Sequence, residues 1–443
     1  MKQKEGHDST FYNGGRKTHW AVVAFAMIGS CMSGVTFVSV PGMVGTSGFG
    51  YLQMCIGFFL GYLVIAFVLT PLYFKLNVVS IYQYLENRFG LASYKTGAWF
   101  FFISKMLGAS VRLFLVCLTL QLLVFGPLGL PFWLNVVCNV AACLALTFRH
   151  GVKSVIGVDV VRTACMIVAV ALSIFFIGKD LGGIQIHERV FFFDDVNHPQ
   201  YFWKQLLGGL FTVIAMTGLD QDMMQRTLAC KDYRDSQKNL VVSSLLQTVV
   251  IAGFLCLGSL LHQFAAAHGI AETGDSLFPA VATGGLLPAV VGVLFVVGLL
   301  ISAYGAGGSA LTSLTTSFTV DILGKAGDVK TRKRVHLAMA VLMAVTIVVF
   351  NALNSTSAID AVYKLASYTY GPILGLFAFG ILMKKQVKDK YVPLVALLAP
   401  VICLVLQLNS ERWFGGYKFS YELLLLNAAL TFLGLTLLIR REK

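Results

Sequence analysis

The sequence predicts an all-α polytopic membrane protein with about twelve transmembrane helices. Three observations carry that expectation. Hydrophobic residues make up 57% of the 443-residue chain and charged residues 12%, about half the roughly 25% charged share of soluble domains. Mean hydropathy is +0.77, which is more apolar surface than a soluble domain can hide from water. The apolar residues also come in runs of about 20 or more, the length that crosses a bilayer. A soluble multidomain enzyme is therefore excluded. Disorder is excluded too, because it needs low hydrophobicity.

The runs, in order, are 19–46, 50–74, 94–125, 131–148, 154–178, 202–225, 239–264, 285–320, 333–353, 360–383, 391–408 and 421–439. A polar tail, 1–18, precedes them and lacks the short apolar core and cleavage site of a signal peptide. The stretch 276–320 holds no charged residue, so a tilted, broken or extended span is expected there. With the N-terminus in the cytoplasm, 25 of the 34 Lys and Arg fall on the cytoplasmic side. Five (Lys179, Arg189, Lys204, Arg412 and Lys418) fall on the other, and four (Lys105, Arg112, Arg162 and Lys364) lie within spans. That asymmetry obeys the positive-inside rule and puts both termini in the cytoplasm of a cell-membrane protein. The net charge of +13 then reports topology and gives no reason to invoke nucleic acid. The nine cysteines form no CxxC and do not cluster with His, so neither a disulfide framework nor a metal site is expected from them.

Two spans do not read as plain helices. In the first, Gly29-Ser30-Cys31-Met32-Ser33-Gly34 is small and polar at membrane depth. A break there would free backbone groups that protein, water or an ion must satisfy, as in transporters whose broken helices build the binding site. The plainer alternative is close helix packing through small residues. The eighth span carries Gly305, Gly307 and Gly308 followed by a hydroxyl-rich run to Thr319. Here the alternative is hydroxyls bonding their own i−4 carbonyls.

Ionisable residues inside spans are costly and point to function by default. Lys105 and Arg112, seven residues apart on the third span, share a helix face. On the fifth, Asp159 and Arg162 stand at i,i+3 and can pair. Lys364 opens the tenth and can snorkel to the interface. For Arg112 the structural alternative is a helix-end carbonyl or a carboxylate partner. The segment TGLDQDMMQRTLACKDYRDSQKNL after the sixth span reads by composition as a solvated loop. No HExxH, GxSxG or Walker motif is present, so a membrane-embedded enzyme lacks its chemistry. A sensor would need a signalling domain, and few residues follow the twelfth span.

The segments GGRKTHWAVVAFAMIGS, MSGVTFVSVPG, NVVSIYQYLENRFG, GVKSVIGVDVVRTACM, GLDQDMMQRTLACKDYRDSQKNL, SALTSLTTSFTVDIL and YTYGPILGLFAFGIL together resemble the sodium/solute symporter family. The likeness runs from about residue 14 to 380. It implies a LeuT-like core of five plus five inverted-repeat helices, with helices 1 and 6 broken. Repeat one would cover 19–178 and repeat two 202–383. Two peripheral helices would occupy 384–443. It further implies a cation-coupled secondary transporter working as a monomer, with Na+ as coupling ion and no bound cofactor. Because the matching linker already begins at Gly14, the leading helix that family members carry ahead of this core is expected either to be absent or to precede the start of this chain.

The resemblance places the sodium carbonyls at Gly29 and Met32 and the usual hydroxyl pair at Gly305 and Ala306, which carry no side-chain oxygen. Ser302 and Ser309 lie nearby, and Asp159 matches an acid near a second cation position. Arg162 stands where a neutral residue is usual, and its guanidinium can neutralise Asp159 and stand in for a cation. The apolar character of FTVIAMTGLD disfavours a glucose-type sugar. Arg112, with Ser33 and Thr36, matches the substrate-carboxylate residues of the family's sialic acid carriers, and Gln53 is added to that set. A guanidinium fork suits a carboxylate, so a small organic anion such as sialic acid is the expected solute. The alternatives are a sodium-independent or proton-coupled carrier, or a neutral solute.

Overall fold

The computed structural model describes residues 9–32, 34–186, 191–195, 198, 200–353, 356–415, 419 and 422–440. A short helix α1 (Ser9–Asn13) leads into α2 (Trp20–Cys31) and α3 (Gly34–Gly42), then α4 (Tyr51–Lys75), α5 (Leu91–Leu120), α6 (Phe132–Thr147) and α7 (Val152–Asp180). The second half runs α8 (Phe202–Gly218), α9 (Gln221–Thr227), α10 (Tyr233–His268), α11 (Ala289–Ile322), α12 (Val329–Leu353), α13 (Thr356–Leu382), α14 (Val392–Trp413) and α15 (Glu422–Leu437). Among the described residues, seven helices are long and apolar enough to cross a membrane. Two further bent pairs, α2 with α3 and α8 with α9, each pass the same test together. Each of the twelve apolar runs read from the sequence coincides with one helix or one bent pair.

Large apolar side chains, among them Phe67, Phe175, Val249, Val341 and Leu408, face outward. The interior holds a long roster of buried Ser, Thr, Asn and charged residues. Apolar surface on this scale facing outward matches a multi-pass protein in lipid, where the polar seam must be internal.

Helices approach one another through small residues. A Cβ on Gly57 of α4 would stand 2.2 Å from the Leu206 carbonyl oxygen, and one on Gly209 of α8 would stand 2.4 Å from the Met54 carbonyl oxygen. The reciprocal contact lets the two backbones touch. Gly371 and Gly375 on α13 do the same against Asn427 and Thr431 on α15. Gly57→Ala should cost about 1–3 kcal/mol of stability, because the obstacle is backbone and cannot rotate away. Thermal unfolding in detergent would measure it, and an unchanged midpoint would refute the crossing.

The two ends of the bundle differ. At one end the cation-rich connections interlock. Arg88 donates to the carbonyls of Gly380 (3.0 Å), Met383 and Lys385 (2.8 Å), capping the end of α13. Asp389 accepts from the Ala92 and Ser93 amides at 2.8 and 2.9 Å, capping the start of α5. Lys95 donates to the carbonyls of Asp321 (2.5 Å) and Ile322 (2.8 Å), where α11 ends. These charges answer the orphan groups of helix termini. At the other end Gly45 donates to His262 (3.1 Å) and Gln263 to the Gln185 carbonyl (2.8 Å).

Candidate functional site

Both bent pairs turn sharply, α2 and α3 by 64° and α8 and α9 by 74°. At the second bend the chain first widens into a π-turn over Ile214–Gly218. Asp220 then starts α9 as its N-cap, its Oδ1 accepting from the Asp222 amide at 2.7 Å and the Met223 amide at 3.2 Å. The carbonyls freed at the bend are satisfied by two buried tyrosines. Tyr73 donates to the Gly218 oxygen and Tyr82 to the Leu219 oxygen, each at 2.9 Å. Backbone at membrane depth is tolerated where protein supplies such partners.

Between the bends lies a cavity of about 420 Å³. Ser30, Cys31, Met32 and Thr36 line it from α2 and α3, Lys105 and Arg112 from α5, and Arg162 from α7. Thr217, Asp220, Asp222 and Arg226 come from the second bend, Ala306 and Ser309 from α11, and Tyr370 from α13. Lys105 and Arg112 thus share the face that their spacing predicts.

The charged groups form one continuous ladder. Arg162 Nη1 lies 3.4 Å from Asp159 Oδ1, and Arg226 Nε lies 3.0 Å from Asp159 Oδ2. Arg226 Nη1 reaches Asp222 Oδ1 at 2.9 Å. Lys105 bridges Asp222 at 2.6 Å and Asp220 at 3.3 Å. Tyr370 donates its hydroxyl to Asp220. Ser309 receives Arg226 and donates to Asp222, and Ser30 donates to Asp159 at 2.7 Å. Three carboxylates meet three cations, so the ladder carries no net charge. Buried charges persist when paired and hydrogen-bonded in this way. Arg112 stands apart: half-buried at the cavity wall, it has no hydrogen bond or ion pair among the described residues.

Several expectations need correction. The segment after the sixth span is not a solvated loop until Lys231. Asp220, Gln221, Asp222, Gln225 and Arg226 are all buried, because their charges pair with one another and with Lys105 and Asp159. Gln53 does not face the cavity. Its amide is consumed by the Gly50 and Gln200 carbonyls (3.2 and 3.0 Å) and the Phe193 amide (3.2 Å). The Asp159–Arg162 pair is not exclusive, since Arg226 holds the other carboxylate oxygen.

Of the remaining expected positions, Thr36, Arg112 and Ala306 line the cavity. Gly29 donates its amide to Thr163 Oγ1 at 3.0 Å. The Met32 carbonyl accepts from Arg162. Gly305 packs on the Asp159–Arg162 pair. Ser302 is buried on α11 without lining the cavity. Ser33 lies outside the described residues, as does the side chain of Lys364. Among the described residues no group of three or more His, Cys, Asp and Glu is arranged to hold a metal ion. The sequence reading missed Asp220, Asp222, Arg226 and Tyr370. Two clues to the first three were available: Asp222 and Arg226 stand at i,i+4, and the span cations Lys105 and Arg162 needed carboxylates.

The model of the sodium:solute symporter family matches residues 11–389. The chain belongs to that family. Among its relatives is a sodium/sialic acid symporter of Aliivibrio fischeri, 26% identical over 94% of this chain and 86% of that protein. Another, from Proteus mirabilis, is 25% identical over 87% of this chain and 81% of that one. The human sodium/iodide cotransporter is 26% identical over 57% of this chain, and the match spans 40% of its length. A solved Na+-coupled sialic acid symporter in a substrate-bound outward-open state superposes with a TM-score of 0.77 at 18% identity, covering 97% of this chain and 91% of that one. A nucleobase-cation-symport-1 transporter in a closed conformation gives 0.58 at 13% identity, covering 96% and 92%. At those identities the likeness is one of fold, and it is the fold expected of this symporter family.

Proposed function

We propose that this chain is a secondary transporter, not an enzyme. In this reading it carries a small organic anion across the cell membrane by alternating access, with Na+ as coupling ion and both termini in the cytoplasm. Sialic acid is the named candidate. The observation that carries this reading is the charge count in the cavity. The ladder cancels itself, and Arg112 is left as a guanidinium facing the cavity without a counterion. A planar fork in a partly dehydrated site is built for a carboxylate, and Thr36 lines the same cavity. The names of the relatives support the charge class: iodide, sialic acid and monocarboxylate are all anions, and each is coupled to sodium. The two bends give the half-helix ends at which such transporters hold solute and ion, and the five-plus-five repeat is the architecture that would rock around them.

A sodium-independent or proton-coupled carrier is the second reading. It is favoured by one feature, the absence of a side-chain oxygen at Gly305 and Ala306, since a hard cation seeks about six oxygens. Uptake into proteoliposomes decides between the two. N-acetylneuraminate, lactate, iodide and glucose would be offered under an inward Na+ gradient and under choline. An anion should accumulate and glucose should not, with Na+ accelerating uptake several-fold. Glucose uptake alone would overturn the solute class. Equal rates in Na+ and choline would move the coupling to the second reading.

A further inference from the structure

α2 ends at Cys31, and Met32 follows in an extended conformation as its C-cap. A carbonyl at such a helix end has no next-turn amide, and at membrane depth it needs a partner. In several transporter folds the carbonyls of a broken helix are taken up by a bound cation. Here the partner belongs to the protein itself: Arg162 on α7 donates to the Met32 carbonyl oxygen. The same guanidinium is 3.4 Å from Asp159 Oδ1, and Arg162 is 2% exposed. Oxygens from a helix break and a carboxylate thus surround a positive charge that the chain itself supplies.

The opposite wall fits that occupant. A Cβ on Gly305 would lie 3.2 Å from Asp159 Oδ1 and 3.4 Å from Arg162 Nη1. A larger side chain would crowd the pair, whose atoms already stand at contact distance from that position. Gly305, where the resemblance expects a hydroxyl, thus leaves room for the Asp159–Arg162 pair. Asp159 keeps a second cation, Arg226, at 3.0 Å, so removing Arg162 leaves the carboxylate paired and its Oδ1 free.

We infer that Arg162 is a tethered cation filling the ion position at the break between α2 and α3, so that any sodium the transporter uses binds elsewhere. The inference deepens the proposed cation coupling and rests on it only for its meaning in the transport cycle.

The test needs no solute. Equilibrium binding of 22Na+ alone would be counted per chain on the purified full-length protein in detergent. Arg162→Ala and Arg162→Ser should each bind one sodium more than the unsubstituted protein. Arg162→Lys should keep the original count, because a charge still fills the position. Adding Asp159→Asn to Arg162→Ala should remove the extra ion. An unchanged count in monodisperse Arg162→Ala or Arg162→Ser would overturn the inference. Should both unfold, Gly305→Ser with Ala306→Ser in the presence of Arg162 supplies the answer. No sodium should be gained there, and a gained ion would show the position open. These counts stand whether or not the uptake experiment identifies an anion.

Discussion

Replacing Arg112 by alanine should weaken binding of the transported anion roughly 30-fold or more, because truncating one partner of a buried charge pair costs ~2–5 kcal/mol. The effect should be this large because nothing in the cavity can take over. Lys105 is committed to Asp220 and Asp222, and Arg162 and Arg226 to Asp159 and its neighbours. Arg112→Lys should recover part of the affinity, since it restores the charge without the planar fork. Calorimetric titration with whichever anion the proteoliposomes take up measures both variants. Because Arg112 pairs with no other described group, its loss should leave the unfolding temperature nearly unchanged. Unaltered affinity in Arg112→Ala would remove it from the solute site.

Arg226→Met should destabilise the folded protein by about 3–5 kcal/mol, the cost of breaking a buried ion pair from one side. Arg226 sits at the middle of the ladder, holding Asp159 at 3.0 Å and Asp222 at 2.9 Å and donating to Ser309. Its removal strips one cation from each of two buried carboxylates. Adding Asp222→Asn to Arg226→Met should return much of the loss, because the ladder's net charge goes back from −1 to zero. Thermal unfolding of the unsubstituted protein, Arg226→Met, Asp222→Asn and the double variant reads the non-additivity expected of residues in contact. If the double variant is as unstable as the two single losses added together, the groups act independently and the ladder is not a unit.

The helices and the first bend were legible in the sequence because each leaves a local mark. Apolar runs of bilayer length give the spans, and small polar residues from Gly29 to Gly34 give the break. The site was only half legible, for a physical reason. A carboxylate looks the same in a sequence whether water or a guanidinium surrounds it. Asp220, Asp222 and Arg226 sit in a charge-dense stretch that composition assigns to solvent, yet their partners are Lys105, more than a hundred residues earlier, and Asp159. Gln53 failed in the opposite sense. Expected among the solute residues, it spends its amide on the loop around Phe193 and Gln200. Arg112 and Asp159 were legible because an ion inside a long apolar run has few innocent explanations.

The even balance of the ladder has an electrical meaning. A membrane potential does work on each elementary charge that crosses it, about 2.3 kcal/mol per 100 mV. Three carboxylates and three cations that travel together cancel, so most of the ionised groups in this protein's interior are invisible to the field. If Arg162 fills the ion position at the α2–α3 break, its contribution does not vary with the ion supply. Among the charged groups named at the cavity, what the potential can act on is then Arg112 and whatever is bound. An anion seated on that guanidinium neutralises it, and an empty cavity exposes it. Voltage would be felt by the unloaded carrier and by any free-standing coupling ion, while the charge ladder adds no net charge to whichever part of the protein moves.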